Sequence, residues 1–398
     1  MISGESFVYF GPEVWHGMWR NRHHLMTRLA RTNKVVYVEP RPYVHQVAAS
    51  LRRRESGLLD MWCERCMVQE QPNLWVYRPP RYAPLGGPPP VRAATHVLRK
   101  GALRRELAVL GIKRPIVWIS TPTQFDARLD IPARLRVYHI VDDYLAYHDL
   151  AATLRESYVR RERELIRWAD LVVVVSPALL ASKGAADQKS KFRLLPNGYD
   201  DVAYRDDRPA ELPRELAGLR RPVLGYVGLI SVRLDLALLD WLAAAHPEWT
   251  LVLMGTVFRQ GCEDALDRLV SRANVHLLPA VPGDQVADYV RSFDLGLLPY
   301  RVTQETLHAS PLKLYEYLAA GLPVVAADVP GAAGFRDVVA IARTPGEWEA
   351  GIEGQLAHDT AAGRDARRAA VAPHTWEARV ATLSGYLLEA LERSCASR

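Results

Sequence analysis

Along most of the chain, short apolar runs alternate with longer stretches in which apolar residues recur every three or four positions. In the first half the runs are ESFVYFG (5–11), KVVYVEP (34–40), PIVWIST (115–121), LRVYHIVDD (135–143) and DLVVVVS (170–176), with helical periodicity near 19–31, 92–110 and 151–169. The second half repeats the rhythm. PVLGYVGLI (222–230), WTLVLMG (249–255), NVHLLPAV (274–281), DLGLLPY (294–300), LPVVAAD (322–328) and DVVAIAR (337–343) alternate with helical segments such as LDLALLDWLAAAHP (234–247) and DQVADYVRSF (284–293). Apolar runs of this length, flanked by helices, predict parallel strands covered on both faces. The predicted fold class is α/β, with two Rossmann-like, doubly wound parallel sheets. Turn residues, prolines and charges gather at 194–222, around Asn197-Gly198, so the join falls near residue 200. A last helical pattern, TWEARVATLSGYLLEALER (375–393), follows the second sheet.

In open α/β sheets ligands bind beyond the carboxyl ends of the strands, so two facing sheets define a cleft between them. The segment HASPLKLYEYLAAGLPVVAAD (308–328) contains a helix that leads into one of those strands. Pro311 suits the first helical position and Ser310 the N-cap, while Gly321 ends the helix. Leu312, Tyr315, Leu318 and Ala319 form its apolar face; Lys313 and Glu316 share another, near the N-terminal end. Spacing alone leaves an ordinary surface ion pair as open as a ligand site.

Composition bounds the chemistry. The 398 residues carry a net charge of +6, with 31 basic against 19 acidic residues in 1–200 and 20 against 26 in 201–398. Much of the basic excess lies in LRRRES (51–56) and VLRKGALRRELAVLGIKR (97–114), a basic amphipathic pattern suited to an anionic membrane surface, an acidic substrate, or a merely solvated face. Nucleic acid is not expected, because no reading motif or zinc-finger spacing is present. No apolar run reaches the roughly 20 residues of a membrane span and the N-terminus has no signal-peptide pattern, so a cytoplasmic protein is expected. The four cysteines suit a reducing compartment; Cys63 and Cys66 form a lone C-x-x-C without a second pair, and no metal site is expected. No strand is followed by G-x-G-x-x-G and there is no P-loop or D-x-D pair, so a bound nucleotide would be held by backbone, helix dipole and side-chain cations.

Taken with VSPALLASK, LLPNGYD and GYVGLIS, the 308–328 segment resembles the nucleotide-sugar-dependent glycosyltransferases of GT-B fold, nearest to family 4 and related bacterial polysaccharide-assembly transferases. The resemblance covers most of 135–385. It implies an acceptor-binding domain at 1–200, a donor-binding domain at 201–375, and a helix at 376–398 packing back on the first domain. It also implies a diphosphate at the amides of Leu312 and Lys313, below Ser310 and Pro311, with the Lys313 ammonium adding charge. Glu316 would take the ribose diol. Gly228 and Arg233 would approach the diphosphate; Gly255 and the LLPAV loop, including Ala280, would line the donor site. The donor, a substrate rather than a cofactor, would be a UDP-sugar ahead of a GDP-sugar, with no metal required.

On the first domain, Asp142 and Asp143 are the candidate catalytic carboxylates, because an acceptor hydroxyl needs a proton acceptor within reach. Either aspartate could instead cap the following helix. His139, a residue type that many retaining relatives use nearby, lies earlier in the same strand. Gly11 and His16 lie in the loop after the first strand, which in relatives contacts phosphate or acceptor. Eight residues before Glu316, where retaining relatives of family 4 carry a glutamate, stands His308; with Arg301 nearby, a donor bearing an acidic sugar becomes plausible. The expected activity is glycosyl transfer to a lipid-linked or polysaccharide acceptor in cell-surface glycan synthesis, at the inner face of the plasma membrane. An epimerase of the same fold and a non-catalytic nucleotide- or sugar-binding protein are the alternatives.

Overall fold

The computed structural model describes residues 1–17, 19–53, 66–129, 131–146, 152–184, 186–205 and 212–396; Cys63 and the end of LRRRES lie outside them. The first domain is built on β1 (Ser6–Phe10), β2 (Lys34–Val38), β3 (Met67–Gln71), β4 (Leu74–Tyr77), β5 (Ile116–Ile119), β6 (Leu135–Ile140), β7 (Leu171–Val174) and β8 (Phe192–Leu194), in the order β3-β4-β2-β1-β5-β6-β7-β8. All pairs are parallel except β3 with β4, an antiparallel hairpin at one edge. The second domain holds β9 (Val223–Val227), β10 (Thr250–Met254), β11 (Val275–Leu278), β12 (Leu295–Leu298), β13 (Val324–Ala327) and β14 (Ala340–Ala342), ordered β11-β10-β9-β12-β13-β14 and parallel throughout. That order, running outward both ways from the first strand, is the Rossmann arrangement with its switch point beside β9.

Continuous apolar strands follow from this layering, since each strand buries both faces. In the first domain Phe7, Tyr9, Val35, Tyr37 and Trp118 face one core while Val8, Phe10, Val36, Val117 and Ile119 face the other. The helix Trp376–Ala396 adds Trp376, Val380, Leu383 and Leu387 to the first of these cores, although it follows the second domain in the chain. The connections between domains therefore cross twice, side by side. Tyr199 and Thr375 form a parallel bridge, the Tyr199 amide donates to the His374 carbonyl at 3.1 Å, and the Trp376 amide donates to the Tyr199 carbonyl at 2.9 Å. Arg28 of the helix Asn21–Leu29 ties both crossings, reaching Asp200 at 3.1 Å and Glu377 at 3.0 Å.

The basic pattern at 97–114 lies within the single helix Pro89–Val109 and its exit. Thr95, Arg99, Leu103 and Leu107, four residues apart, form its buried stripe, and Arg99 donates to the carbonyls of Ala83 and Pro84. Val91, Val97, Leu98 and Val109 are exposed on the same helix. No helix among the described residues is long and apolar enough to cross a membrane.

Candidate active site

The carboxyl ends of β9, β10, β12 and β6 converge on the cleft. The helix Leu312–Ala319 is fixed there by Leu314, Tyr315, Tyr317, Leu318 and Ala319, all buried. It begins one residue later than the sequence predicts. Pro311, not Ser310, is the N-cap, and no side chain caps the first turn. Ser310 is occupied elsewhere: its carbonyl accepts from Asn197 Nδ2 at 2.7 Å, tying the helix start to the domain join. The Leu314 amide donates to the Pro311 carbonyl at 3.2 Å, and the amides of Leu312 and Lys313 are left without a side-chain cap, as an anion site requires.

Lys313 makes no ion pair with Glu316 among the described residues. Its Nζ donates to the Tyr300 hydroxyl at 2.7 Å and lies 4.9 Å from the Tyr226 ring centroid. Gly228 permits this placement, since a Cβ there, at φ +145°, would lie 2.9 Å from the ammonium. Gly255 follows β10 at φ +149°, where a Cβ would sit 1.9 Å from the Gly228 carbonyl oxygen. The two glycines therefore let two strand ends and a cation share one small volume. Glu316 is half-buried and its carboxylate has no hydrogen-bond partner among the described residues. Burial pushes its pKa up to about 7, with Lys313 partly opposing. An unpartnered carboxylate costs stability unless something completes it, and a pair of hydroxyl donors would.

Across the cleft, Asp142 and Asp143 follow β6 and have different surroundings. Asp142 accepts from the Asp143 amide at 2.9 Å and lies 3.4 Å from Arg233 Nη2, which joins the two domains. Arg233 also meets Glu305 at 2.9 Å. Asp143 is buried and has both oxygens engaged: Oδ1 with Lys183 Nζ at 2.9 Å and with the Leu145 amide at 3.3 Å, Oδ2 with His308 Nδ1 at 2.7 Å. Burial works against its charge, but Lys183 and His308 outweigh it and hold the carboxyl below its usual range. Behind it Lys183 pairs with buried Glu162 at 2.9 Å, and the Ser176 hydroxyl donates to the His308 carbonyl at 2.7 Å.

The remaining sequence candidates are placed as follows. His139 is sealed in the core, edge-on to Trp118 at 5.6 Å, and burial drives its pKa down to about 3, so it is a neutral core residue. Gly11 serves packing: a Cβ would overlap the Tyr37 ring. His16 is exposed and meets Glu70 of the edge strand β3 at 3.1 Å. Leu312 packs against the first-domain core and Ala280 is exposed in the loop after β11. Arg301 is exposed and lines a cavity with Trp241, Val302 and Asp328, with no contact to His308. Lys183, Glu162, Tyr226, Tyr300 and Glu305 were not singled out from the sequence. Their side-chain partners lie 13 to 87 positions away in the chain, beyond the reach of local periodicity.

Residues 221–358 match the family model for glycosyl transferases group 1. Over 185 residues the chain is 28% identical to TuaH of Bacillus subtilis (strain 168), assigned as a teichuronic acid biosynthesis glycosyltransferase; the match covers 46% of each protein, so the chain spans about half the length of that relative. A sucrose-phosphate synthase from Thermosynechococcus elongatus superposes with a TM-score of 0.67 at 17% identity, covering 98% of this chain and all of the other. An E. coli trehalose-6-phosphate structure bound with UDP-2-fluoro glucose superposes at 0.65 with 13% identity, covering 97% and 99%. These solved structures share the fold. The two-sheet architecture is thus that of these solved structures, and the segment 221–358 of the second domain resembles the glycosyl transferases group 1.

Proposed function

We propose that the protein moves a glycosyl group from a nucleoside diphosphate sugar to an acceptor hydroxyl. The observation that carries this reading is the pairing, on one helix start, of an uncapped first turn and Lys313 with the unpartnered carboxylate of Glu316. A diphosphate suits the first two and a ribose diol the third. Lys313 and the helix amides then stabilise the negative charge that grows on the leaving diphosphate as the glycosidic bond breaks. Asp142 and Asp143 stand on the opposing wall, where the acceptor hydroxyl must lose its proton.

The donor in this reading is a UDP-sugar, a choice supported by the ligand of one solved structure of the same fold. The acceptor is lipid-linked or a growing glycan. Exposed Val91, Val97 and Leu98, beside the exposed Arg92 and Arg105 of the same helix, support docking on an anionic membrane surface. Thermal shifts against uridine, guanosine, thymidine and adenosine diphosphates and their sugar conjugates, with and without magnesium, test the donor site. Selective stabilisation that disappears in Lys313→Ala and Glu316→Ala is expected; no shift with any nucleotide refutes it. Co-sedimentation with phosphatidylglycerol vesicles at low salt tests the membrane surface separately.

A further inference from the structure

The cavity bordered by Arg301 lies on the second domain and outside the cleft. Its volume, about 690 Å³, falls in the range of ligand sites. It opens between the helices Leu236–Ala245 and Pro345–Ala357, over the carboxyl ends of β12, β13 and β14. Its two helical walls differ in character. Trp348, 3% exposed, belongs to the core of the domain, whereas Trp241 on the facing helix is 40% exposed and shares its helix face with Leu238. Arg301 is exposed, and its guanidinium has no hydrogen bond or ion pair among the described residues. Arg343 meets Asp328 at 2.8 Å, and Arg336 holds the other oxygen of that carboxylate at 2.7 Å.

A thin partition separates this cavity from the cleft. Leu234 and Tyr300 form an antiparallel bridge, the Asp235 amide donates to the Pro299 carbonyl at 2.8 Å, and the Arg301 amide donates to the Arg233 carbonyl at 2.9 Å. Arg233 meets Asp142 in the cleft, while Asp235 and Arg301 line the cavity. Tyr300 borders both, because it lines the cavity and its hydroxyl accepts from Lys313. The lining balances two arginines, Arg301 and Arg343, against two aspartates, Asp235 and Asp328, so it has no net charge to draw a phosphate-rich ligand. It presents hydrogen-bond donors and acceptors together, beside an exposed indole. A saccharide matches that mixture: its hydroxyls donate to carboxylates and accept from guanidinium groups, and the C–H face of its ring packs on an aromatic plane. We propose that the cavity is an oligosaccharide-binding subsite, with Trp241 as the stacking platform and Arg301 and the Asp328–Arg343 pair as the hydrogen-bonding groups. Its role, holding the distal part of a glycan whose end is extended in the cleft, rests on the glycosyl-transfer reading; the binding itself does not.

The test uses the full chain. Labelled protein is screened on an array of bacterial oligosaccharides, neutral and uronic-acid-containing, and affinity for the best binder is measured by isothermal titration. Trp241→Ala and Arg301→Ala are each expected to weaken that affinity about tenfold or more. Both side chains are exposed, so both variants are expected to keep the wild-type melting temperature and the wild-type thermal shift with nucleoside diphosphates. An array without a binder, or an affinity unchanged in Trp241→Ala, overturns the proposal. Oligosaccharide binding lost in Glu316→Ala but kept in both cavity variants places the glycan in the cleft and overturns it as well. Oligosaccharide bound through Trp241 by a protein that no nucleotide stabilises refutes the transfer reading alone.

Discussion

Donor binding is expected to strengthen as pH rises through neutrality, because of Glu316. Its carboxyl stands at about 7 in the folded protein against an ordinary value of 4.5. In the free protein the raised value favours the protonated form. Its contribution to stability is full below pH 4.5 and is lost as pH rises through 7, on the order of 2 kcal/mol once its partial exposure is allowed for. A ribose diol reverses the preference, since two hydroxyl donors need the carboxylate. At pH 6 about a tenth of the protein carries that carboxylate and at pH 8 about nine tenths, so affinity is expected to rise about ninefold, ~1.3 kcal/mol. Isothermal titration with UDP-glucose, or another nucleotide sugar that binds, is the assay, run in two buffers of different ionisation enthalpy to count protons. Close to one proton should be released per donor at pH 6 and almost none at pH 8. Glu316→Gln should bind weakly and without pH dependence. Equal affinity at both pH values with no proton release would refute the placement of the diol on Glu316.

Other perturbations have sizes that follow from packing. Gly255→Ala drives a Cβ into the Gly228 carbonyl at a strained φ, and urea denaturation should show a loss of about 3 kcal/mol or more. Trp376→Ala removes a ring that is 1% exposed and stacked on His24 at 4.9 Å, for an expected loss of about 3–5 kcal/mol. Lys183→Met strands two buried carboxylates, Asp143 and Glu162, with a similar loss at pH 7.5; because protonation relieves both, denaturation midpoints of mutant and wild type should converge toward pH 5.

The long parallel strands were legible because each is an uninterrupted apolar run, and burial on both faces demands nothing else. The edge hairpin β3–β4 was not. MVQEQ is polar and only partly buried, as an edge strand is, and its turn rests on Pro72 and Asn73, the latter at φ +62°. Strand β8, three residues long, is too short to show any period. Around the cleft, the helix bearing Lys313 and Glu316 could be placed from its terminators alone, within one residue. The partners of those side chains could not. Whether Lys313 met Glu316 or Tyr300, and whether Asp143 capped a helix or held His308, depended on which strand ends the fold brings together. Asp142 and Asp143 look alike in the sequence, and Lys183, 40 positions from Asp143, separates their chemistry.

The double crossing beside Tyr199 makes the second domain an insertion. Residues on both sides of it, up to about 200 and from 376 onward, build one folding unit whose core includes Trp376 and Leu383, while the intervening stretch starts and ends at a single bridged point. Truncation from the C-terminus should therefore damage the first domain before the second, the reverse of what linear order suggests. An excised 212–371 fragment has its own core and is the piece expected to fold alone. With two chain segments hydrogen-bonded at that point, relative rotation of the domains is confined to a narrow, paired hinge, which can bend while resisting twist.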